Sequence, residues 1–308
     1  MSAEPIGELR YWLDSELKNQ PNVKEQLEAW AASGHSMANF NLRNCQLGGI
    51  NLVNHGHKTG FDMSYADLYR ADLRAAHLFN IDLSHASLMK ADLRGANLHC
   101  ANLSGCNLLG AKLDGAKLDH VIWPEQLMQE TQAKIFLHEG ATSEADDYYE
   151  QAEETYRNLR IACEGSALFE TAGNFFYREM VMRRHRMPKH SIQRLISHLV
   201  DLFCGYGEKP VRVIFFSMSF ILVCACLYFL SGINGPNGEI SVRMVHSVWD
   251  VFVNFFSCLY FSVVTFTTLG YGDFTPDGFS RFMAALEAFT GSFTMALFVV
   301  VFVKKMTR

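Results

Sequence analysis

The sequence lacks the cysteine patterns that build zinc sites or disulfide frameworks. It contains eight cysteines, but none form a CxxC pair and none fall in the segment 231–250. Closely spaced pairs are the usual mark of structural zinc, and disulfide frameworks need paired cysteines in an oxidising compartment. The missing patterns therefore argue against both ways of stabilising the chain.

Patterns typical of several other functions are also missing. The net charge of −5 is modest and does not indicate a nucleic-acid partner. No series of arginines at every third position is present, so we expect no voltage sensor of the usual kind. No group of acid, base and nucleophile suggests catalysis, and we predict that the protein is not an enzyme.

Two apolar segments in the final third of the chain are long enough to cross a membrane. Residues 211–230 are mostly apolar, and residues 282–303 contain Glu287 as their only charged residue. Helices of this length span a hydrocarbon layer of about 30 Å. The apolar segment 252–266 between them is shorter, which is typical of a re-entrant segment that enters the membrane and returns.

The basic residues predict the orientation of these spans. Eight lysines and arginines lie between Arg178 and Arg212, and the second span is followed by Lys304, Lys305 and Arg308. Only Arg243 and Arg281 lie between the spans. The excess on one side predicts a multi-pass protein with both termini cytoplasmic. Because no basic, apolar leader follows Met1, we expect the first span to act as the insertion signal.

A five-residue repeat fills much of the first half of the chain. Residues 66–120 read ADLYR ADLRA AHLFN IDLSH ASLMK ADLRG ANLHC ANLSG CNLLG AKLDG AKLDH, with Leu at every centre from Leu68 to Leu118. A small or apolar residue stands two positions before each of these leucines. A period of five fits neither a helix nor an alternating strand. It predicts a solenoid with four short sides per turn, whose large and small side chains point inward.

The segment 38–123 resembles the pentapeptide-repeat family. The resemblance implies a right-handed quadrilateral β-helix of roughly four turns, whose ends need caps because each turn is covered only by its neighbours. We expect caps from residues 5–32, which carry Trp12 and Trp30, and from Trp123 with the proline that follows it. Some members of the family mimic DNA with an acidic surface. Residues 37–118 contain six Asp, no Glu and eight Lys plus Arg, which favours a scaffold with an unknown protein or small-ligand partner.

An irregular segment, NHGHKTG at residues 54–60, interrupts the repeat and shifts its register by one residue. We expect a loop that leaves the solenoid at one corner. His55 and His57 lie in this loop, but two histidines alone make an incomplete metal site.

Residues 124–203 contain no repeat and predict helices that connect the solenoid to the membrane. The segment 139–154 has seven carboxylates, which form either a Ca²⁺-attracting cluster or a solvated helix face. Further on, SIQRLISHLVDLF at residues 191–203 has a helical apolar stripe. Five basic residues precede or begin it, so we expect this helix to lie on the inner membrane surface and contact anionic lipids. The basic residues are Arg183, Arg184, Arg186, Lys189 and Arg194.

The tripeptide GYG occurs twice, and its surroundings differ. The first copy, in CGYGEKP at residues 204–210, follows the amphipathic segment, and we interpret Gly205 and Gly207 as a turn. The second copy, in TTLGYGD, follows the short apolar segment. Rings of backbone oxygens can replace the hydration of a cation if successive carbonyls point one way. That requires alternating unusual backbone conformations, which Gly270 and Gly272 permit.

Residues 204–308 resemble the potassium-channel pore family through TLGYGD, the apolar segment before it and the two flanking spans. The resemblance implies a homotetramer with a selectivity filter for permeant K⁺ ions, and no other cofactor is predicted. It places the filter at Thr268, Leu269, Gly270, Tyr271 and Gly272. Leu269 replaces the more frequent Val of the family, and Val264 stands where some members carry a Glu that pairs with the residue equivalent to Asp273.

Five residues of the second span are candidates for the gate or the cavity: Glu287, Gly291, Met295, Val299 and Phe302. Gly291 serves either as a hinge or as a close-packing site. Glu287 is costly in a bilayer, and we expect it to find a partner on the helix before the filter. Since little chain follows the second span, we expect regulatory signals to arrive from the N-terminal side.

Together these observations predict a multidomain α+β membrane protein of a prokaryotic inner (plasma) membrane. Its predicted function is potassium-selective conduction, with a weakly selective cation channel or a membrane-tethered scaffold with a vestigial pore as alternatives. The predicted parts are a helical cap at 1–36, a β-helix at 37–123, a helical connector at 124–203 and a two-span pore at 204–308. Within the pore we predict spans at 211–230 and 282–303, a re-entrant pore helix at 253–267 and a filter at 268–272.

Overall fold

A computed structural model describes residues 6–13, 22–236, 238–242 and 247–306. The remaining positions, which include parts of the predicted N-terminal cap together with Arg243 and Arg308, lie outside the described residues. The chain divides into two compact units, Met1–Arg194 and Leu195–Arg308. Each unit has its own core.

Stacked coils of the repeat form the centre of the first unit. Parallel bridges join residues 20 apart, for example Asp67 to Ser87 and Ser87 to Asn107. Each coil therefore holds four five-residue repeats. The backbone N–H of Leu88 donates to the carbonyl of Asn107 at 2.9 Å, which links one coil to the next. The repeat leucines and the small residues two positions before them are buried, as predicted.

The corners of the coils recur at every fifth residue, where the backbone turns through a positive φ. This conformation occurs in the described residues at Tyr65, Arg70, Ala75, Asn80 and His85 and continues to His120. The loop at residues 54–60 adds to one coil, because Asn41 pairs with Asp67, a spacing of 26 rather than 20 residues. The predicted loop is therefore confirmed as an insertion of six residues at a corner.

Two helices cover the first coil, as expected for a cap. Helix α1 spans Ile6–Leu13 and helix α2 spans Val23–Ala32. Trp12 stacks on Phe40 of the first coil, with ring centroids 5.2 Å apart and planes 4° from parallel. Trp12, Leu27 and Trp30 are buried in the same apolar core as the repeat.

Three helices follow the last coil: α3 at Met128–His138, α4 at Thr142–Gly165 and α5 at Phe169–Arg186. Trp123 meets Phe175 edge to face, with centroids 5.4 Å apart, so the last coil is covered by α5. Ala167 has a positive φ of 59°, which belongs to the turn between α4 and α5 and cannot continue a right-handed helix.

Buried carboxylates join these helices. Glu130 is 4% exposed and accepts hydrogen bonds from Lys134 and from the Tyr156 hydroxyl, both at 2.7 Å. Arg178 forms an ion pair with it at 3.3 Å. Burial alone would raise the pKa of Glu130, but the donors from Lys134 and Tyr156 outweigh it and hold the pKa below its ordinary value.

Glu130→Gln should weaken the helical connector. A carboxyl group whose pKa is lowered on folding stabilises the folded state above its unfolded pKa, and the effect is lost as the pH falls through the folded value. We expect the variant to lose about 1–3 kcal/mol at neutral pH and to show a smaller loss of stability on acidification. Urea unfolding of the full-length protein in detergent, followed by tryptophan fluorescence, measures this. Glu139→Gln, at an exposed position, is the control, and an equal effect of both variants would contradict the prediction.

The acidic run in α4 is partly neutralised within the first unit. Arg186 forms ion pairs with Asp146, Glu150 and Glu153 at 3.8, 3.1 and 3.0 Å. Arg184 is buried. These two arginines therefore do not extend freely toward a lipid surface, which corrects the prediction that all five basic residues do.

The second unit begins with the amphipathic helix. Helix α6, Ile192–Cys204, has an exposed apolar side and ends in the turn Gly205–Gly207. Helix α7, Pro210–Ser231, follows and extends the predicted span by one residue at each end. The helix at residues 191–203 and the turn at the first GYG copy are both confirmed.

Helix α8, Val248–Phe266, is longer than the predicted re-entrant segment. Ser247 and Asp250 form a capping box, in which Asp250 accepts from the Ser247 backbone N–H at 2.9 Å. This cap starts the helix before the apolar run does. Among the described residues, α7, α8 and the last helix, Phe279–Met306, are all long and apolar enough to cross a membrane. The length of α8 therefore contradicts the prediction of a re-entrant segment from the shortness of residues 252–266.

A small sheet and a long helix complete the second unit. Strand β1, Ile233–Gly235, pairs antiparallel with β2, Gly238–Ile240, and on its other side with β3, Thr275–Pro276. Helix α9, Phe279–Met306, extends beyond both ends of the predicted span 282–303. Its first turn includes polar residues that a hydropathy pattern leaves out, since Asp277 and Gly278 accept the N–H groups of Ser280 and Arg281.

Candidate functional site

The residues after α8 are hydrogen-bonded to the last turn of that helix. The Thr267 hydroxyl donates to the Val263 carbonyl at 2.7 Å. The N–H groups of Thr268 and Leu269 donate to the carbonyls of Thr265 and Val264, both at 3.0 Å. The end of α8 therefore defines where the exposed stretch Thr268–Gly272 begins.

The backbone of this stretch alternates in handedness. Thr268, Gly270 and Gly272 have positive φ angles of 58°, 57° and 77°, whereas Leu269 and Tyr271 are not among the positive-φ residues. Such an alternation allows successive carbonyls to point to one side of the chain. Thr268 is β-branched, and a left-handed conformation is costly for such a residue. Strain of this kind is concentrated at functional sites.

Tyr260 of α8 holds the residue that follows the stretch. Its hydroxyl interacts with the Asp273 carboxylate, and its ring meets Phe274 edge to face at 5.7 Å. Tyr260 lies one helical turn before Val264, the position considered in the sequence for a partner of Asp273. Tyr260 was not predicted from the sequence, although its spacing of four residues from Val264 places both on one face of α8.

The small sheet returns the chain to the end of α7. Asn234 pairs with Thr275 in the β1–β3 ladder, and the Ser280 hydroxyl donates to the Gly232 carbonyl at 2.6 Å. Since β2 also pairs with β1, the approach to α8 and the exit from Gly272 both lie beside the same strand. The segment between them therefore leaves the small sheet and returns to it.

Glu287 lies where the three long helices meet. It is fully buried and accepts a hydrogen bond from the Tyr228 hydroxyl of α7 at 2.6 Å and another from the Ser262 hydroxyl of α8. The expected partner on the helix before Thr268 is therefore present. Tyr228 was not predicted, although a phenol within an apolar span needs a polar partner.

Gly291 packs against the end of α8. A Cβ atom at this position would overlap the carbonyl oxygen of Phe266, and α9 continues as a helix through it. Of the two interpretations of Gly291, the contact favours close packing over a hinge. The three later candidates, Met295, Val299 and Phe302, are exposed on the single subunit.

The described residues contain no group of three or more His, Cys, Asp or Glu side chains that could hold a metal ion. His55 and His57 line a pocket of about 600 Å³ between α2 and the inserted loop, and the pocket does not bring them into such a group.

Comparisons with known proteins agree with the two parts of the chain. Residues 219–308 match the family model described as ion channel. Residues 66–99 and 86–122 match the model described as pentapeptide repeats. A comparison with curated protein sequences finds no match.

Two solved structures of pentapeptide repeat proteins are similar to part of the chain. HetL, involved in heterocyst differentiation regulation in the cyanobacterium Nostoc, shares 28% identity over 28% of this chain and 41% of its own, with a TM-score of 0.18. Rfr23 from the cyanobacterium Cyanothece shares 27% identity over 27% of this chain and 84% of its own, with a TM-score of 0.12. The chain thus spans about two-fifths of HetL. The chain thus combines a segment that matches the pentapeptide-repeat model with a segment that matches the ion-channel model, and the described part of the second segment includes helices long and apolar enough to cross a membrane.

Proposed function

We propose that the protein is a potassium-selective channel whose filter is Thr268–Gly272. The observation that carries the proposal is the alternating backbone of this stretch, with positive φ at Thr268, Gly270 and Gly272. Backbone carbonyls in such an arrangement replace the water around a dehydrated K⁺ ion. The C-terminal end of α8, where the helix dipole is negative, leads directly into the stretch and favours a cation there.

The out-and-back course of residues 248–274 supports a re-entrant pore helix. Helix α8 has 19 residues and is about 28 Å long. The seven residues from 268 to 274 reach about 23 Å when extended. Because β2, which precedes this segment, and β3, which follows it, both pair with β1, α8 enters and the filter returns to the same face in this proposal, despite the length of the helix.

A single chain supplies one arc of the carbonyl ring, so we propose a homotetramer. The outer side of α8 is consistent with burial against other copies, because Trp249, Phe252 and Phe256 are all more than half exposed. With Tyr260 and Phe274 they line an apolar groove of about 580 Å³. Apolar grooves of this kind are typical of surfaces that another chain covers.

The first unit regulates or assembles the pore in this proposal. Its repeats form a right-handed quadrilateral β-helix, and its partner is an unknown protein or small ligand. Both termini are cytoplasmic, and α6 lies on the inner surface of a prokaryotic plasma membrane. The exposed apolar side of α6, together with Lys189 and Arg194, favours contact with anionic lipids.

Ion flux from liposomes tests the function directly. We expect the purified protein to release K⁺ much faster than Na⁺ under matched gradients, and Gly270→Asp to abolish the flux because it adds a charged side chain at a positive-φ position of the filter. Equal flux of the two ions would favour a weakly selective cation channel. The absence of flux under all lipid compositions and voltages would favour a membrane-tethered scaffold with a vestigial pore.

Tyr260→Phe should make conduction more sensitive to low potassium. The variant keeps the aromatic ring beside Phe274 and removes the hydroxyl that interacts with Asp273, so the filter loses one lateral support. Because Tyr260 is 40% exposed, the effect should be modest, about twofold to fivefold in steady-state flux at low K⁺. Ser257→Ala, which removes an exposed hydroxyl bonded only to its own helix, is the control. An unchanged flux in Tyr260→Phe would exclude this support.

A further inference from the structure

The first GYG copy forms an unusual turn between α6 and α7. Gly205, Tyr206 and Gly207 all have positive φ angles, of 55°, 55° and 82°. Three consecutive left-handed residues reverse the chain tightly, and Tyr206 adopts this conformation without the freedom of a glycine. A costly conformation persists where the surrounding contacts determine it.

Contacts on both sides attach this turn to its flanking helices. The Tyr206 and Ser197 hydroxyls are 2.6 Å apart, which links the turn to α6. Arg212 of α7 donates to the Asp201 carbonyl oxygen at 2.7 Å and forms an ion pair with its carboxylate at 2.6 Å. A displacement of α6 therefore carries the turn and the beginning of α7 with it.

The same turn contacts the last turn of α9. Glu208 forms an ion pair with Lys304, and the two side chains are 13% and 33% exposed. Below this pair, Cys204, Val213 and Val301 form a small buried apolar cluster. Contact at the C-terminal end of α9 thus comes from a segment that lies before α7 in the chain.

We propose that Glu208 is a positioning residue for the gate: through Lys304 it couples movement of α6 to the C-terminal end of α9. The inference rests on the proposed channel function. This contact provides a physical route for signals from the N-terminal side. The apolar cluster of Cys204, Val213 and Val301 holds the ends of α6, α7 and α9 together, while the ion pair sets the position of the α9 end relative to the turn. The first GYG copy serves as a coupling turn in this arrangement.

Lys305 provides a matched comparison, because it is the next residue of α9, carries the same charge and is exposed. A general effect of positive charge near the membrane surface would involve both lysines. A specific contact with Glu208 involves Lys304 alone.

A first experiment tests the contact without using conduction. Carbodiimide joins carboxylates to amines that already touch, so treatment of the full-length protein in liposomes should join Glu208 to Lys304. Mass spectrometry of the digested protein identifies the linked peptides, and Glu208→Gln should remove them. Failure to detect this link, or an equal link from Glu208 to Lys305, would overturn the proposal.

A second experiment tests the coupling. Glu208→Lys and Lys304→Glu each place like charges together, and we expect each to change K⁺ flux by about fivefold or more, as is typical of coupled sites. The double variant, which exchanges the charges, should restore the flux toward the wild-type value, and Lys305→Glu should leave it unchanged.

The two experiments separate failure of this inference from failure of the proposed function. The coupling alone would be overturned if the wild-type protein shows selective flux and no substitution at 208 or 304 changes it. It would also be overturned if the double variant has no more flux than the single variants. Absence of wild-type flux together with a Glu208–Lys304 link would overturn the channel function and reduce the contact to a structural tie.

Discussion

Gly291→Ala is expected to abolish most of the ion flux. The added Cβ atom overlaps the Phe266 carbonyl oxygen, and backbone cannot rotate away as a flexible side chain can. Either α9 moves outward or the end of α8 shifts, and the filter follows because Thr268 and Leu269 are bonded to the last turn of α8. Overpacking of this kind costs about 1–3 kcal/mol, so we expect flux to fall by about tenfold or more.

Liposome flux measurements check this expectation, with Ser292→Ala as the control. Ser292 is the next residue of α9, is exposed, and bonds only to the Ala288 carbonyl of its own helix. Its loss should leave flux near the wild-type level. Wild-type flux in Gly291→Ala would mean that α8 and α9 separate in the conducting state, and the packing role of Gly291 would be wrong.

Glu287→Ala should have the second large effect, on both stability and flux. Tyr228 and Ser262 donate to this carboxyl group from two other helices, and alanine would leave both hydroxyl groups without that acceptor in an apolar region. Unsatisfied buried polar groups and the cavity together cost on the order of 3 kcal/mol. We expect a clear drop in the thermal midpoint of the oligomer in detergent and a parallel loss of flux.

Glu287→Gln is the matched variant, and it should be far milder. Its amide oxygen accepts from Tyr228 and its amide nitrogen donates to the Ser262 oxygen, which then donates to the Ile221 carbonyl, 2.9 Å away. Tyr228→Phe removes one bond and should fall between the two. If the glutamine and alanine variants lose the same stability, the hydrogen bonds at Glu287 do not position these helices.

The parts of the fold that follow a local period were predictable from the sequence. The five-residue repeat and the apolar lengths of α7 and α9 each repeat one physical requirement many times, so single exceptions do not hide the pattern. The beginning of α8 was less visible, since it depends on one capping box at Ser247 and Asp250. Such a cap is a single local contact, and the apolar run after it does not show where the helix begins.

In the candidate site, too, local patterns were predictable and single contacts were not. Gly270 and Gly272 identify a stretch that needs unusual backbone angles, because few other residues adopt them cheaply. The partners that hold this stretch were not predictable in the same way. Tyr228 is 59 residues from Glu287, and the pairing of β1 with β3 joins residues about 40 positions apart. Contacts between distant segments depend on the packing of the helices, which no local pattern records.

Because bridged residues in neighbouring coils are twenty residues apart, the repeat domain is a stack whose height changes in discrete steps. Removing residues 82–101 would delete one complete coil, make residues 62 and 102 direct ladder partners, since both now pair with residue 82, and shorten the stack by about 4.8 Å. Removing five residues instead would keep the twenty-residue spacing of the pairs on either side of the cut, but it would turn every later side by a quarter of a coil. The inserted loop at 54–60 shows the other permitted change, an addition at a corner. A change by whole coils therefore keeps the side on which the last coil ends, whereas a change by one five-residue repeat turns that end by a quarter of a coil.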